Sequence, residues 1–141
     1  MSFSKKYLQE CVEICNTINP DEIEDMANLI NSVRSESGRI FFLGVGGGAG
    51  HASHAVNDFR KICNIESYAP TDNVSELTAR VNDDGWDTCY VNWLKGSKIS
   101  NKDLIFVFSV GGGNLEKNIS VNILKSLQLA KEVGSKICGV V

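Results

Sequence analysis

The stretch "FFLGVGGGAGHASHAVNDF", residues 41–59, decides the fold of this chain. An apolar run stops in five glycines between Gly44 and Gly50, and a helix-like pattern follows. Glycine is unfavourable in the interior of strands and helices alike, so this cluster lowers local stability on both sides of the junction. The pattern predicts a buried strand at 39–45, a tight turn, and a helix from Gly48 to about Ile62.

A second apolar run, "DLIFVFSV" at 103–110, also ends in glycines, here Gly111, Gly112 and Gly113. We expect a long helix directly after Asn114. Strands that alternate with helices in this way predict an α/β fold, an open parallel sheet with helices on both faces. Ligands of such sheets bind beyond the carboxyl ends of the strands, so the two glycine turns should face a common hollow.

The other elements follow from periodicity and capping signals. Asn19 and Pro20 mark the start of the second of two amphipathic helices. The remaining predictions are helices at 5–18, 20–33, 73–81 and 86–94, and strands at 65–69 and 135–141. We therefore expect a single domain, with a helical pair at 1–37 and a parallel α/β core at 38–141. Because a strand ends the chain at Val141, we expect a domain truncated at its C-terminus, or a strand covered by another subunit.

Composition excludes several classes of protein. The net charge of -3 over 141 residues gives no basic field for nucleic acid. No segment has the length and apolarity of a membrane span or a signal peptide. The cysteines are odd in number and form no CxxC pair, so we interpret them as buried thiols of a cytoplasmic protein. They are Cys11, Cys15, Cys63, Cys89 and Cys138.

A glycine turn at a helix N-terminus presents backbone N–H groups to an anion, and the helix dipole adds partial positive charge there. The alternative interpretation of each glycine turn is that it binds no anion and that its glycines only allow close packing. The first turn also matches GxGxxG loosely, with Gly44 and Gly46 followed by Ala49, which leaves a dinucleotide-binding fragment as a weaker hypothesis.

Three polar side chains follow the first turn on one face of the predicted helix. His51, His54 and Asp58 stand at i, i+3 and i+7. His54 and Asp58 could bind one metal ion, but a histidine and a carboxylate four residues apart also form surface ion pairs. A carboxylate directed at an anion pocket is the better candidate for a general base.

Two further candidates lie outside that helix. Asp83 belongs to a cluster of polar residues at 82–87, which is equally typical of a solvated turn. Ser109 ends the second strand, where its hydroxyl could contact phosphate or cap the next helix.

The ordered motifs "GVGGGAGHASHAVNDF", "LTARVNDDGWD" and "DLIFVFSVGGGN" resemble the sugar isomerase (SIS) domain of the phosphoheptose isomerase family over essentially the whole chain. This resemblance implies a flavodoxin-like fold without a nucleotide cofactor, and a homotetramer whose active sites are shared between subunits. It also implies an aldose–ketose isomerase that interconverts sedoheptulose 7-phosphate and heptose 7-phosphate for surface-glycan heptose biosynthesis. The alternative function is a non-catalytic module that binds a phosphosugar.

The resemblance also implies roles for particular residues. Asp58 would be the catalytic base, and His54 with Asp58 would hold zinc where the family uses it, together with a glutamine and a histidine from the C-terminal part. Asp83 would contact the sugar. The remaining substrate-binding residues would be Gly46, Gly47, Gly48, His51, Ser109, Gly111, Gly112, Gly113 and Asn114.

The chain departs from the usual sequence of the family in both turns. Val45 stands where asparagine is typical, and Gly48 where serine is typical. The second turn, from Ser109 onward, has glycines in place of a hydroxyl-rich loop. Backbone N–H groups therefore replace side-chain donors as the expected means of holding phosphate.

Overall fold

The computed structural model describes residues 1–141 and contains a four-stranded parallel sheet. Its strands are β1 (Ile40–Gly44), β2 (Ser67–Tyr68), β3 (Leu104–Phe108) and β4 (Lys136–Val140). They lie in the order β2-β1-β3-β4, and every neighbouring pair is parallel. The predicted fold class is confirmed.

The chain also forms six helices. They are α1 (Phe3–Thr17), α2 (Pro20–Ser35), α3 (Gly47–Lys61), α4 (Val74–Asp84), α5 (Cys89–Gly96) and α6 (Val121–Val133). The predicted N-cap of α2 is present, because the Asn19 side chain accepts a hydrogen bond from the Asp21 N–H. Asn73 caps α4 in the same way through the Glu76 N–H. None of the helices is both long and apolar enough to cross a membrane.

Alternate residues of the central strands face two separate cores. Phe41 and Leu43 of β1 pack with the buried residues of α5 and α6. Ile40 and Phe42 face the opposite way and pack with Val33 of α2 and with α3. This alternation, which follows from the two-residue period of a strand, explains the continuous apolar runs in β1 and β3.

The register of β1 and β3 brings the two glycine turns together. Ile40 is paired with Leu104, and Gly44 is paired with Phe108. The two strands therefore end side by side at the same edge of the sheet. The segments that leave them, one into α3 and one toward α6, begin as neighbours.

The start of α6 differs from the prediction. The helix begins at Val121 rather than directly after Asn114, and residues 109–120 form a loop. Asn114 and Ile119 close this loop with two backbone hydrogen bonds of 2.9 and 2.8 Å. Ile119 is therefore in this loop and not in the helix.

The prediction that all five cysteines are buried is wrong. Only Cys89 is buried, Cys15 is exposed, and Cys11, Cys63 and Cys138 are half-buried. The error has a physical cause at α1, which has no buried residue although its sequence is amphipathic. Its apolar side chains include Phe3, Tyr7, Leu8, Val12 and Ile14, all of them exposed.

Candidate functional site

A cavity of about 660 Å³ lies at the carboxyl ends of β1 and β3. Gly47 and Gly48 of the first turn and Gly111 of the second turn all line it. The other lining residues are Val45, His51, Phe108, Ser109, Val110, Ile119, Ser120, Ile123 and Val140. The expected common hollow between the two turns is therefore present.

Packing accounts for only part of the first glycine cluster. A Cβ on Gly48 would lie 2.6 Å from the Phe108 carbonyl oxygen, and a Cβ on Gly44 would overlap the backbone of Gly48. Gly46 has a φ of 58°, in the region that favours glycine. A Cβ on Gly47, in contrast, would meet nothing within 4 Å. Packing therefore does not require a glycine at position 47. The missing side chain leaves the backbone of Gly47 open to a ligand.

The first turn leaves a backbone donor unused. The N–H groups of Gly48 and Ala49 bond back to the carbonyls of Val45 and Gly46, at 3.0 Å in each case. The Gly46 N–H makes no hydrogen bond. An anion or water must satisfy such a donor.

The second turn leaves more donors unused. The N–H groups of Val110, Gly111 and Gly113 make no hydrogen bond, whereas that of Gly112 donates to the Ser109 hydroxyl oxygen at 3.1 Å. Ser109 therefore stabilises its own turn and does not cap α6. Because Val110 and Gly111 border the cavity, their free N–H groups are the donors best placed for an anion there.

Two helices begin at this cavity without a side-chain cap. The N-cap of α3 is Gly46, which has no side chain to serve as a cap, and the N-cap of α6 is Ser120, whose hydroxyl accepts no hydrogen bond from its helix. Each helix start carries partial positive charge from the backbone dipoles. These two helix starts direct partial positive charge from backbone groups toward the cavity, which no lysine or arginine lines.

Tyr90 supports the first turn from behind, and the sequence analysis did not identify this role. Its side chain is fully buried, and its hydroxyl donates to the Gly44 carbonyl oxygen at 2.7 Å. Burial raises the pKa of Tyr90 to about 12, so the hydroxyl stays protonated. The sequence does contain one indication of this role. A tyrosine within an apolar helix indicates a buried hydroxyl, and a buried hydroxyl needs a hydrogen-bond partner.

His51 is the only titratable side chain that lines the cavity. Its ring lies 5.8 Å from the ring of Phe108, measured between centroids. A histidine can donate to a bound anion or exchange a proton near neutral pH. The substrate-binding role predicted for His51 stays a prediction.

His54 and Asp58 lie outside the cavity. Their side chains face each other, with 3.2 Å between His54 Nε2 and Asp58 Oδ2, and are 78% and 41% exposed. Asp58 also accepts a hydrogen bond from the Asn57 amide. The helix rises by about 10 Å over the seven residues from His51 to Asp58. Although these two residues share one face of α3, the Asp58 carboxylate therefore lies farther from the edge of the sheet.

The donors in this chain do not fit a zinc ion. His54 and Asp58 supply two ligands, and no group of three histidine, cysteine, aspartate or glutamate residues is suitably clustered. Protein zinc sites use three or four ligands. The residues of this chain therefore do not form a zinc site by themselves.

Five other predicted substrate-binding residues do not line the cavity, namely Gly46, Asp83, Gly112, Gly113 and Asn114. Asp83 is exposed near the end of α4 and accepts a hydrogen bond from the Asn82 amide at 2.8 Å. The side chain of Asn114 accepts from the Lys117 N–H and so stabilises the 109–120 loop. Gly112 and Gly113 have φ values of 69° and 94°, which gives these glycines a conformational role in that loop.

Comparisons with known proteins agree with this architecture, although no family model matches the chain. The lincomycin biosynthesis protein LmbN of Streptomyces lincolnensis is 26% identical over 99% of the chain. A phosphoheptose isomerase of Rhodospirillum rubrum is 26% identical over 83% of it. The chain spans only 53% and 61% of the lengths of these two curated relatives.

Solved structures of phosphoheptose isomerases have the same fold. The enzyme from Neisseria gonorrhoeae superimposes with a TM-score of 0.75 at 20% identity, and the match covers 98% of this chain and 74% of that one. The enzyme from Francisella tularensis gives a TM-score of 0.78 at 18% identity, over 99% and 74% of the two chains. The resemblance predicted from the glycine motifs is confirmed, and the chain has the SIS fold of the phosphoheptose isomerases.

Proposed function

We propose that this chain is the phosphosugar-binding part of an aldose–ketose isomerase, with sedoheptulose 7-phosphate as substrate in surface-glycan heptose biosynthesis. One observation carries the proposal: two glycine turns and two uncapped helix starts meet at a single cavity. The relatives named phosphoheptose isomerase support the choice of reaction.

The phosphate would bind at the two turns. A phosphate dianion needs several donors, and the free N–H groups of Val110 and Gly111 border the cavity. The dipoles of α3 and α6 add favourable electrostatic energy of about 0.3–1 kcal/mol each. His51 would donate a further hydrogen bond from the cavity wall. This arrangement needs no cationic side chain and no nucleotide.

The proposed reaction passes through an enediol. A base removes the proton from the carbon beside the carbonyl, and an acid delivers a proton to the carbonyl oxygen. The base then returns its proton to the former carbonyl carbon, and the hydroxyl on the other enediol carbon gives its proton back to the acid group and becomes the aldehyde oxygen, so the ketose becomes an aldose without gain or loss of atoms. Asp58 is our proposed base, His54 would orient it, and Asp83 would bind sugar hydroxyls.

Proton exchange in deuterated water tests the isomerase proposal. Incubation with sedoheptulose 7-phosphate should replace the proton on the carbon beside the carbonyl with deuterium, which proton NMR detects. Asp58→Asn should slow this exchange at least about a hundredfold if the carboxylate is the base. Binding without any exchange would contradict the isomerase proposal for this chain.

A second candidate function is a non-catalytic phosphosugar-binding module. The position of Asp58 favours it, because this carboxylate is paired with His54 outside the cavity. A binding module predicts that sedoheptulose 7-phosphate raises the melting temperature while no deuterium enters the sugar. The two functions thus give opposite results in the exchange experiment.

We also propose a cytoplasmic homotetramer. The apolar residues of α1 are exposed in the single chain. An apolar helix face that packs against no other part of its own chain favours association with further copies of the chain. All five cysteines are free in this structure, and free thiols are typical of proteins in a reducing compartment.

A further inference from the structure

The first glycine turn has few side chains of its own to hold it in place. Residues 44–50 contribute only the side chains of Val45 and Ala49. One side chain forms a hydrogen bond to this segment, namely Tyr90, whose hydroxyl donates to the Gly44 carbonyl oxygen at 2.7 Å. Burial raises the pKa of Tyr90 to about 12, so the hydroxyl remains a donor near neutral pH. The position of the turn therefore depends on this bond and on contacts between backbone segments.

Gly44 and Gly48 connect this bond to both turns. A Cβ on Gly44 would overlap the backbone of Gly48, so the end of β1 touches the first turn of α3. A Cβ on Gly48 would lie 2.6 Å from the Phe108 carbonyl oxygen, so the same helical turn also touches the end of β3. Phe108 directly precedes Ser109, where the second glycine turn begins. Because closely packed backbone segments do not shift independently, a displacement of Gly44 should move both turns.

The core alone does not account for the hydroxyl of Tyr90. A phenylalanine would fill nearly the same space, and a buried hydroxyl adds little net stability because it gives up its hydrogen bonds to water. The ring of Tyr90 also packs against that of Trp86, with 5.8 Å between the centroids. Trp86 belongs to the polar cluster at 82–87 that includes Asp83, the proposed sugar contact. Tyr90 thus lies between two segments to which we assign substrate contacts.

We propose that Tyr90 is a positioning residue for phosphosugar binding, because its hydroxyl, through the Gly44 carbonyl, fixes the spacing of the two glycine turns. This inference rests on the proposed function, in which the free N–H groups of Val110 and Gly111 hold the phosphate. Tyr90 itself does not line the cavity, so it acts on the ligand only through the turns.

Isothermal titration with sedoheptulose 7-phosphate tests this role, at a temperature where all variants are folded. Tyr90→Phe should raise the Kd at least about fivefold, since the turns lose the bond that fixes their spacing. Replacement of Tyr90 by 4-aminophenylalanine keeps an N–H donor at the same point of the ring. This replacement should restore most of the affinity.

Ser135→Ala is a matched control. The Ser135 hydroxyl is also buried and also donates to a backbone carbonyl, that of Asp103, at 2.8 Å. Asp103 and Ser135 lie at the opposite end of the sheet, directly before β3 and β4. Ser135→Ala should therefore lower the melting temperature, as Tyr90→Phe does, yet leave the Kd within about twofold of the wild-type value.

Amide NMR spectra of the chain without ligand provide a second readout. Tyr90→Phe should shift the amide signals of Gly46 and Gly111, one in each turn, whereas Ser135→Ala should shift neither. A shift confined to Gly46 would show that the two turns move independently, and the inference would be overturned.

The outcomes of the titration separate this inference from the proposed function. If the wild-type chain binds sedoheptulose 7-phosphate and Tyr90→Phe binds it equally well, the inference falls and the proposed function stands. The inference also falls if 4-aminophenylalanine restores no affinity, or if Ser135→Ala weakens binding as much as Tyr90→Phe, because general destabilisation would then explain the loss. A wild-type chain that does not bind the phosphosugar would contradict both.

Discussion

The hydroxyl of Tyr90 donates a 2.7 Å hydrogen bond to the carbonyl oxygen of Gly44, the last residue of β1. Both groups are buried, and the bond joins α5 to the point where the chain turns into the cavity. A fixed carbonyl at this point defines the path of the glycines that follow. The bond therefore links the packing of one core to the shape of the candidate site.

Removal of this hydroxyl should destabilise the protein. Tyr90→Phe leaves a buried carbonyl unpaired, so we expect the free energy of unfolding to fall by about 1–3 kcal/mol. Urea denaturation measures this change. Tyr68→Phe is the control, because that hydroxyl donates to Glu66 on the exposed surface and its loss should change stability little. Equal effects of the two substitutions would show that the Gly44 contact is unimportant.

Alanine substitutions should separate the packing role of the glycines from their role toward a ligand. Gly48→Ala forces a Cβ against the Phe108 carbonyl, so we expect a loss of about 1–3 kcal/mol of stability. Gly47→Ala has open space, and alanine is the better helix former, so the fold should stay intact. The new methyl group borders the cavity, however, and should weaken the stabilisation that sedoheptulose 7-phosphate gives in thermal melting. An unchanged response to the ligand would place the phosphate elsewhere.

Exchange kinetics should decide which side chain moves the proton. If Asp58 is the base, Asp58→Asn should lower kcat of the deuterium exchange with a small change in KM, while His51→Gln mainly raises KM. His51 is inside the cavity and Asp58 is outside it, so the reverse pattern would identify His51 as the proton-transfer group. Glu66→Gln, an exposed carboxylate away from this cavity, serves as the control and should change neither constant.

The Arg39–Asp103 pair should make stability depend on pH. Burial alone would raise the pKa of Asp103, but hydrogen bonds from Arg39 and Ser100 outweigh it, and the pKa is lowered. The unfolded state then binds the proton more tightly. The stabilisation is complete above the unfolded pKa of about 4 and is lost as the pH falls through the lowered folded value.

Substitution of Asp103 tests this relationship. Its side chain is only 2% exposed, so Asp103→Asn should cost about 3 kcal/mol at pH 7 and should flatten the fall in stability below pH 4. Glu76→Gln breaks the more exposed pair with Arg80 and should cost less than about 1 kcal/mol. Urea midpoints at pH 7 and pH 3.5 provide both comparisons. A variant that keeps the wild-type pH profile would assign the acid sensitivity to other groups.

The exposed face of α1 should control association. Leu8→Glu places a charge among the exposed apolar side chains of this helix, so the proposed tetramer should dissociate in sedimentation experiments. Val74→Glu makes the same change at an exposed residue of α4 and should leave the mass unchanged. A wild-type chain that sediments as a monomer at micromolar concentration would contradict the tetramer.

Local sequence features predicted most of the architecture. The apolar runs at β1 and β3 are covered on both faces, and Asn19 and Asn73 cap the helices that they precede. These features depend on residues close together in the sequence, so their physical chemistry can be evaluated without the rest of the fold. The position of α6 could not be predicted in this way, because Asn114 and Ile119 hold a loop that periodicity does not reveal.

The sequence by itself determined that two strands end in glycine turns, because glycine is placed where backbone must approach backbone or a ligand. Only the tertiary structure decided that Gly47 and Gly111 share a cavity, since this depends on the register of β1 against β3. It also placed His51 at the cavity and Asp58 beyond it, because the rise of a helix separates residues that share a face. Burial of the cysteines likewise depends on which helix faces are covered by other parts of the chain, and the local sequence does not show this.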